Sequence, residues 1–346
     1  MSQTTTLTLP LPRRQLVRLL DRFENTPVLL WGDFVVDRFL LGSPKRISRE
    51  APVLILHYES ETIVPGGGGN ALMNLASLGA KPVALGAVGD DVSARRLLDA
   101  FEAAGIDASD VLTVPGWETP TKTRVLAGFP HGAKQQVVRF DRESPIPGGS
   151  EIRLRLAERA RARLAGARAC LLSDYGYGAV SPESAALART ILGDRGKVTV
   201  DSRFRVAEYR GASAATPNEE EAAMASGLPL ERVEEALEQG GEALRDRLGA
   251  EALLVTRGSR GSALFEAGQP SIRIPVHGSD QVADVTGAGD TVIATFTLAL
   301  AVGASYLEAA VLANVAGGIV VMKSGTATVT RDEIAHGLAQ EERLVS

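Results

Sequence analysis

Strand-like and helix-like segments alternate along most of this chain, and that alternation leaves few architectures open. Val28–Trp31, Ala169–Ser173, Lys197–Asp201 and Ala252–Thr256 are short runs with aliphatic centres. Each follows a stretch with helical spacing: 13–24, where Leu16, Leu19, Leu20 and Phe23 share a face, then 151–165, 182–192, and the pair 218–226 and 230–247. Further helices are predicted at 69–78 and 92–104 around a strand at 82–86. The chain reads as helical from 288 onward, with segments near 305–321 and 331–340. Helices between strands imply a mostly parallel central sheet covered on both faces, so the fold class is α/β. Ligands of such sheets sit beyond the carboxyl ends of the strands. The turns Asp33–Asp37, Ser173–Gly178, Asp201–Arg205, Thr216–Glu221 and Thr256–Gly261 should therefore converge.

Two stretches break the pattern. Residues 35–64, with Pro52–Tyr58, and residues 119–141, with Lys122–Ala127 and Gln136–Phe140, hold β-like pieces and no helical signal. They read as a small antiparallel flap on a larger body. The first strand is expected to close on Gly32-Asp33.

Composition removes several functions. The net charge is −5 with no sustained basic run, which argues against a nucleic-acid partner. No apolar run reaches transmembrane length, and the Thr-rich start lacks the apolar centre of a secretory signal. A cytoplasmic protein with no membrane partner is expected. The single cysteine, Cys170, lies in an apolar run and reads as a buried thiol. His57, His131, His277 and His336 stand singly, without zinc-ligand spacing.

The chemistry concentrates in glycine-bearing turns. Asp284-Val285-Thr286-Gly287-Ala288-Gly289-Asp290 runs into the apolar segment Thr291–Leu300. Small residues before a helix bare its first N–H groups, a seat for a phosphoryl group. A carboxylate is the wrong group to hold an anion, so Asp290 is a candidate base for a hydroxyl attacking phosphorus. A lone Asp at a helix start also serves as a dipole partner. Pro65-Gly66-Gly67-Gly68-Gly69-Asn70 opens a helix, as a bare backbone with an amide that donates and accepts, or as a flexible turn with an Asn cap. Asp37 could accept two polyol hydroxyls, or be a solvated turn residue. Asn218 and Glu221, three apart at a helix start, could hold waters of a magnesium ion or simply cap the helix. Thr256, Gly258 and Gly261 form a turn after a strand that a nucleotide phosphate could approach, or a plain β-turn. No G-x-x-x-x-G-K-[ST] loop occurs, and the G-x-G-x-x-G spacing of a dinucleotide fold is not cleanly present, so an oxidoreductase is not expected.

In this order the segments resemble the ribokinase-like (phosphofructokinase-B) carbohydrate kinases, over nearly the whole chain. The resemblance implies an ATP-dependent sugar kinase with a ribokinase-like sheet and a β lid, with ATP and Mg2+ as cofactors and K+ as an optional further ion. By it, Asp290 is the base and Gly287, Ala288 and Gly289 form the anion hole. Asn218 and Glu221 serve magnesium through water and, with Thr256, Gly258 and Gly261, the nucleotide. Asp37, Gly66, Gly67 and Asn70 face the sugar, and a homodimer through the lid is implied. Thr295 stands where many members carry Gly or Ala.

A narrower resemblance joins Arg46–Val53, Thr121–Val125, Gln135–Asp141, Ser173–Gly176 and Val321–Thr326 to heptose 7-phosphate kinases, which in some bacteria are one half of a bifunctional ADP-heptose synthase. It implies a single kinase domain over 1–346, too short for the nucleotidyltransferase half. Its candidate substrate is heptose 7-phosphate at O1, with another sugar, sugar phosphate or nucleoside, or a non-catalytic sensor, as alternatives. Arg124, Arg139 and Asp174 join the candidate substrate residues, and Arg203 and Arg205 offer further cations, although arginines are mostly solvated surface residues. Two positions depart from that pattern: Tyr177 stands where a Lys is usual, and Asp201-Ser202-Arg203-Phe204 replaces D-P-K-G.

Overall fold

The computed structural model describes residues 5–6, 11–128, 134–227, 233–278 and 283–345; His131 lies outside them. The chain runs β1 (Thr5–Thr6), α1 (Arg13–Asp21), β2 (Pro27–Ile47), β3 (Leu54–Gly67), α2 (Gly68–Ser77), β4 (Lys81–Gly89), α3 (Val92–Ala103), β5 (Asp107–Val114), β6 (Thr121–Ala127) and β7 (Gln135–Arg142). It continues through α4 (Gly149–Leu164), β8 (Ala169–Asp174), α5 (Pro182–Leu192), β9 (Lys197–Ser202), β10 (Ala214–Ala215), α6 (Glu219–Ser226), α7 (Val233–Leu248) and β11 (Ala252–Thr256). It closes with β12 (Ser262–Glu266), β13 (Ile272–Ile274), α8 (Ala288–Ala301), α9 (Tyr306–Val320) and α10 (Arg331–Val345).

The main sheet has the order β1-β13-β12-β11-β10-β9-β8-β2-β4-β5, parallel except where β12 runs against β11 and β13. One core cluster packs Phe23, Leu72, Phe101, Phe296 and Leu312 on one face. A second packs Trp31, Leu156, Leu192, Tyr209 and Leu244 on the other. Helices α8 and α9 are apolar nearly all round because other elements enclose them. Inside α8, Thr295 turns its hydroxyl back onto the Thr291 carbonyl at 2.9 Å, so the larger residue adds no unsatisfied group. No helix among the described residues is long and apolar enough to cross a membrane.

Several strands differ from the sequence expectation. The strand β2 does not close on Gly32-Asp33; it runs on through buried Phe34, Val35 and Val36 to Ile47. Its first part pairs with β4 and β8, and its second with β3 and β6. The expected turn at 33–37 is thus a strand that carries the chain from the main sheet into a second one, ordered β3-β2-β6-β7. Strand β5 is absent from the sequence expectation: it is an edge strand whose Leu112 and Val114 enter the core and whose Asp107 and Asp110 meet Arg163 of α4 at 3.1 and 2.5 Å. The β12–β13 hairpin was missed as well, because its strands are too short for periodicity to show.

In the second sheet, registered partners share a face and alternate residues oppose. Asp37, Lys122 and Asp141 are aligned across β2, β6 and β7, followed by Phe39, Arg124 and Arg139. The opposite face carries Leu40, Val125 and Val138, then Phe140.

Candidate functional site

Helix α8 begins at Ala288 behind Gly287, whose φ of 79° only glycine adopts readily. Asp290 stands in its first turn, 4% exposed. Asn70, in the first turn of α2, donates from Nδ2 to Asp290 Oδ2 at 3.0 Å and to the Gly287 carbonyl at 3.3 Å. A Cβ on Gly287 would lie 2.4 Å from that nitrogen, so the glycine makes the approach possible. Tyr175, in the loop after β8, donates its hydroxyl to Asp290 Oδ1 at 2.8 Å. Burial pushes the Asp290 carboxyl up to about 7, against the Asn70 and Tyr175 hydrogen bonds that favour the anion. An acid that changes charge near neutrality, in a polar seat at a helix start, suits proton transfer.

The loop after β8 is fixed from below. Asp33, buried in β2, accepts N–H bonds from Tyr175, Tyr177 and Ala179, each at 2.9 Å. Burial pushes its carboxyl up to about 6, opposed by those three donors. Asp174, a candidate substrate residue, is turned inward. It accepts from Gly176 N–H at 3.0 Å, Ser202 Oγ at 2.8 Å and Arg205 Nη2 at 2.9 Å. Its oxygens, and Arg205 with them, are occupied in holding the turn together.

On the side of the second sheet, Asp37 lies against Gly66 so closely that a Cβ there would be 2.3 Å from Asp37 Oδ2. Asp37 is ion-paired with Arg124, whose guanidinium sits 5.4 Å from the Phe39 ring. Arg124, expected to meet a substrate phosphate, thus neutralises Asp37. Arg139 pairs with Asp141 at 2.7 Å. A cleft of about 370 Å³ opens between this sheet and the loop after β8, lined by Arg139, Asp141, Glu143, Tyr175, Tyr177, Arg203 and Phe204 among others. Both departures from the heptose kinase pattern, at Tyr177 and at Arg203-Phe204, thus line one cleft. Tyr177 hydrogen-bonds Glu143 there, and Arg203 stacks 5.6 Å from the Phe204 ring.

Beyond α8 a second cleft of about 460 Å³ is lined by Thr256, Gly258, Gly261, Ala288 and Gly289, with Val276, Val285, Val292, Val321 and Asn314. Apolar walls with sparse polar groups suit a flat heterocycle. A Cβ on Gly289 would meet nothing within 4 Å, so its bareness serves open space and not packing. The Asn218 turn abuts this cleft, since Asn218 bridges to Thr256 and Thr256 N–H donates to the Pro217 carbonyl at 3.0 Å.

Asn218 and Glu221 form a reciprocal capping box: Glu221 N–H donates to Asn218 Oδ1 and Asn218 N–H to Glu221 Oε2, both at 2.9 Å. The capping geometry is therefore real, and it leaves one oxygen of Glu221 uncommitted. Burial raises the Glu221 carboxyl. Asp201 is raised well above the ordinary carboxylate range by burial and by the Glu221, Asp290 and Asp174 charges. No group of three metal-ligating side chains stands together among the described residues, so a cation here would rest on one or two carboxylates and water.

The structure thus brings Asp290, Gly287, Ala288, Gly289, Asn70, Asp37, Gly66 and Gly67 around one point, with Thr256, Gly258, Gly261, Asn218 and Glu221 beyond it. Sequence reasoning passed over Tyr175, Lys122 and Asp33 as individual residues. Lys122 and Tyr175 lie in segments that carry the resemblance, and Asp33 in a converging turn, but nothing local singles these residues out.

With this geometry in place, comparison with known proteins is informative. A family model described as pfkB family carbohydrate kinase matches residues 41–333. The chain is 37% identical over 333 residues to the bifunctional protein HldE of Trichlorobacter lovleyi, covering 96% of this chain and 66% of that protein. It is 41% identical over 323 residues to HldE of Caulobacter vibrioides, covering 92% and 65%. The chain therefore spans just under two thirds of the length of these relatives. Among solved structures, Arabidopsis thaliana ribokinase complexed with ribose and ATP aligns with a TM-score of 0.68 at 20% identity, over 91% of this chain and 99% of that one. Escherichia coli phosphofructokinase-2 in complex with substrates and products aligns with a TM-score of 0.72 at 18% identity, over 92% and 100%. These two likenesses establish the ribokinase-like fold.

Proposed function

Because the chain belongs to the pfkB family of carbohydrate kinases, and so is a phosphotransferase with an alcohol acceptor, we propose that it transfers the γ-phosphate of ATP to O1 of heptose 7-phosphate. The observation that carries this reading is the place of Asp290 at the start of α8: its neighbour Gly289 lines the apolar cleft, and its hydrogen-bond partner Tyr175 lines the cleft with arginines.

In this reading the adenine lies among Val276, Val285, Val292 and Val321, and the phosphates run toward Ala288 and Gly289. The sugar is placed by Asp37 and Asn70. Its hydroxyl attacks phosphorus, and Asp290 accepts the hydroxyl proton as the new O–P bond forms and the bond to ADP breaks. The first N–H groups of α8 offset charge on the transferring group. A magnesium ion would be held through water by Glu221 and Asp201 and would neutralise phosphate charge. The second sheet acts as a lid, closing to keep water from competing with the sugar.

Two observations favour a phosphorylated sugar. The curated relatives are HldE proteins, 37–41% identical in the two cases above. Arg203 lines the sugar-side cleft and is in no ion pair among the described residues, which suits a distal phosphate. The Asp290→Asn variant and a panel of sugars and sugar phosphates, read by ADP release, test the reading. Asp290→Asn is expected to keep the fold and lower kcat at least about a hundredfold. Near wild-type turnover would remove Asp290 as base, and preference for an unphosphorylated sugar would remove the substrate.

The lid also bears on assembly. Its edge strands β3 and β7 are each paired on one side only, and Val138 and Phe140 are about half exposed on one face. A second copy of this chain, docked lid to lid, would cover both. A monomer at micromolar concentration in light scattering would reject this.

A further inference from the structure

The ring of Tyr175 sits between two parts of the molecule. On one side, Gly67 brings bare backbone so close that a Cβ would lie 3.1 Å from Tyr175 Cε2. On the other, the Lys122 ammonium of β6 lies 5.3 Å from the ring centroid. The hydroxyl is bonded to Asp290, and the backbone N–H is held by Asp33. Lys122 is 8% exposed and forms no ion pair among the described residues. Its registered neighbours Asp37 and Asp141 are already paired with Arg124 and Arg139. A buried ammonium without a carboxylate partner is costly, and the face of an aromatic ring is the favourable surface that remains.

We propose that Tyr175 is a positioning residue for Asp290, and that the Lys122 ammonium against its ring supports this positioning. The role of Asp290 as base, proposed above, is the premise. Tyr175 itself moves no proton: burial and the Asp290 charge hold its phenol well above the ordinary range, so it remains a donor throughout. By donating to Oδ1 it fixes the rotation of the carboxylate and stabilises its charged form. The ammonium on the ring adds a positive charge near the base.

The groups that face Asp290 are Asn70 from α2, Tyr175 from the loop after β8, Asp37 from β2, Lys122 from β6 and Asp201 from β9. Lys122 is the cation among these groups and favours the ionised base, while Asp37, also on the second sheet, opposes it.

The test reads the carboxyl directly. In protein labelled with 13C at aspartate side chains, the Asp290 signal is assigned by its loss in Asp290→Asn, and its titration is followed by NMR without substrate. Tyr175→Phe is expected to move that titration upward by about one pH unit, and Lys122→Met by about half a unit in the same direction. Lys122→Arg, which keeps a cation over the ring, should return it to the wild-type position. With ATP, magnesium and heptose 7-phosphate, Tyr175→Phe should lower kcat about tenfold at pH 7 with little change in KM. An Asp290 titration unmoved in Tyr175→Phe overturns the positioning role, and one unmoved in Lys122→Met overturns the part given to Lys122. If these titrations move while Asp290→Asn turns over at near the wild-type rate, the base assignment in the proposed function fails and the positioning of the carboxyl by Tyr175 stands. Thermal melts of each variant separate these outcomes from loss of fold.

Discussion

The side-chain amide of Asn70 donates to Oδ2 of Asp290 across 3.0 Å, joining the first turn of α2 to the first turn of α8 over 220 positions of sequence. Asn74 extends the joint, donating to the Asn70 carbonyl at 3.0 Å and accepting from Thr291 Oγ1 at 3.1 Å. Replacing Asn70 by Leu removes a donor to a buried carboxylate, at a cost of about 1–3 kcal/mol. The expected result is a lower Tm and a kcat/KM reduced at least about tenfold. Asn70→Asp should be worse at pH 8 than at pH 6, because the second carboxylate repels the first once both ionise. Steady-state kinetics at the two pH values check this.

The raised Asp290 carboxyl predicts both an activity profile and a stability profile. As base it must be ionised, so kcat/KM at saturating magnesium-ATP is expected to fall about tenfold per unit below roughly pH 7. For stability the sign is opposite. Between about pH 4 and 7 the native Asp290 holds a proton that the unfolded chain has released, so stability decreases as pH rises through that window. The loss amounts to a few kcal/mol at most. Asp290→Asn should flatten that part of the curve; urea titrations at pH 5 and pH 8 that still differ as in the wild type would contradict the assignment.

Two neighbouring glycines should separate fold from binding. At Gly287, alanine meets a positive φ and Asn70 Nδ2 at 2.4 Å, so Gly287→Ala should lower Tm and activity together. Gly289 is helical and borders open space. Gly289→Leu is expected to leave Tm within about 2 °C of wild type and to weaken magnesium-ATP at least about tenfold by calorimetry. Equal ATP affinity in wild type and Gly289→Leu would place the phosphates elsewhere.

Asp33 is expected to matter without touching a ligand. Asp33→Ala leaves three N–H groups at Tyr175, Tyr177 and Ala179 without their acceptor, each worth about 1 kcal/mol or more. Removing a raised, buried carboxyl returns part of that cost above pH 6. The loss of stability should therefore be larger at pH 5 than at pH 8, accompanied by lower kcat as Tyr175 loses its anchor. Chemical denaturation at both pH values measures it.

Much of this molecule was legible from residue order alone. The α/β class follows from apolar strands spaced by helical segments, because local periodicity reports which face of each element is buried. The turn before α8 was legible only together with the other glycine-bearing turns in their order, because an acid at a helix start is by itself as readily a dipole partner. Short or polar strands were not legible. In β5 only Leu112 and Val114 alternate into the core, too short a run to mark a strand, and Asp107 and Asp110 on Arg163 hold its first half. The long reach of β2 was hidden because a strand passing between sheets changes partners without changing its own conformation.

Local sequence therefore determined the elements and the position of Asp290 at the start of a helix, since both depend on neighbours a few residues away. Tertiary structure alone decided which charges are spent on one another. Arg124 went to Asp37 and Arg205 to Asp174, and Lys122 was left for the face of Tyr175. That partition depends on distances between β2, β6 and β8, which come together only when the sheets assemble and exclude water.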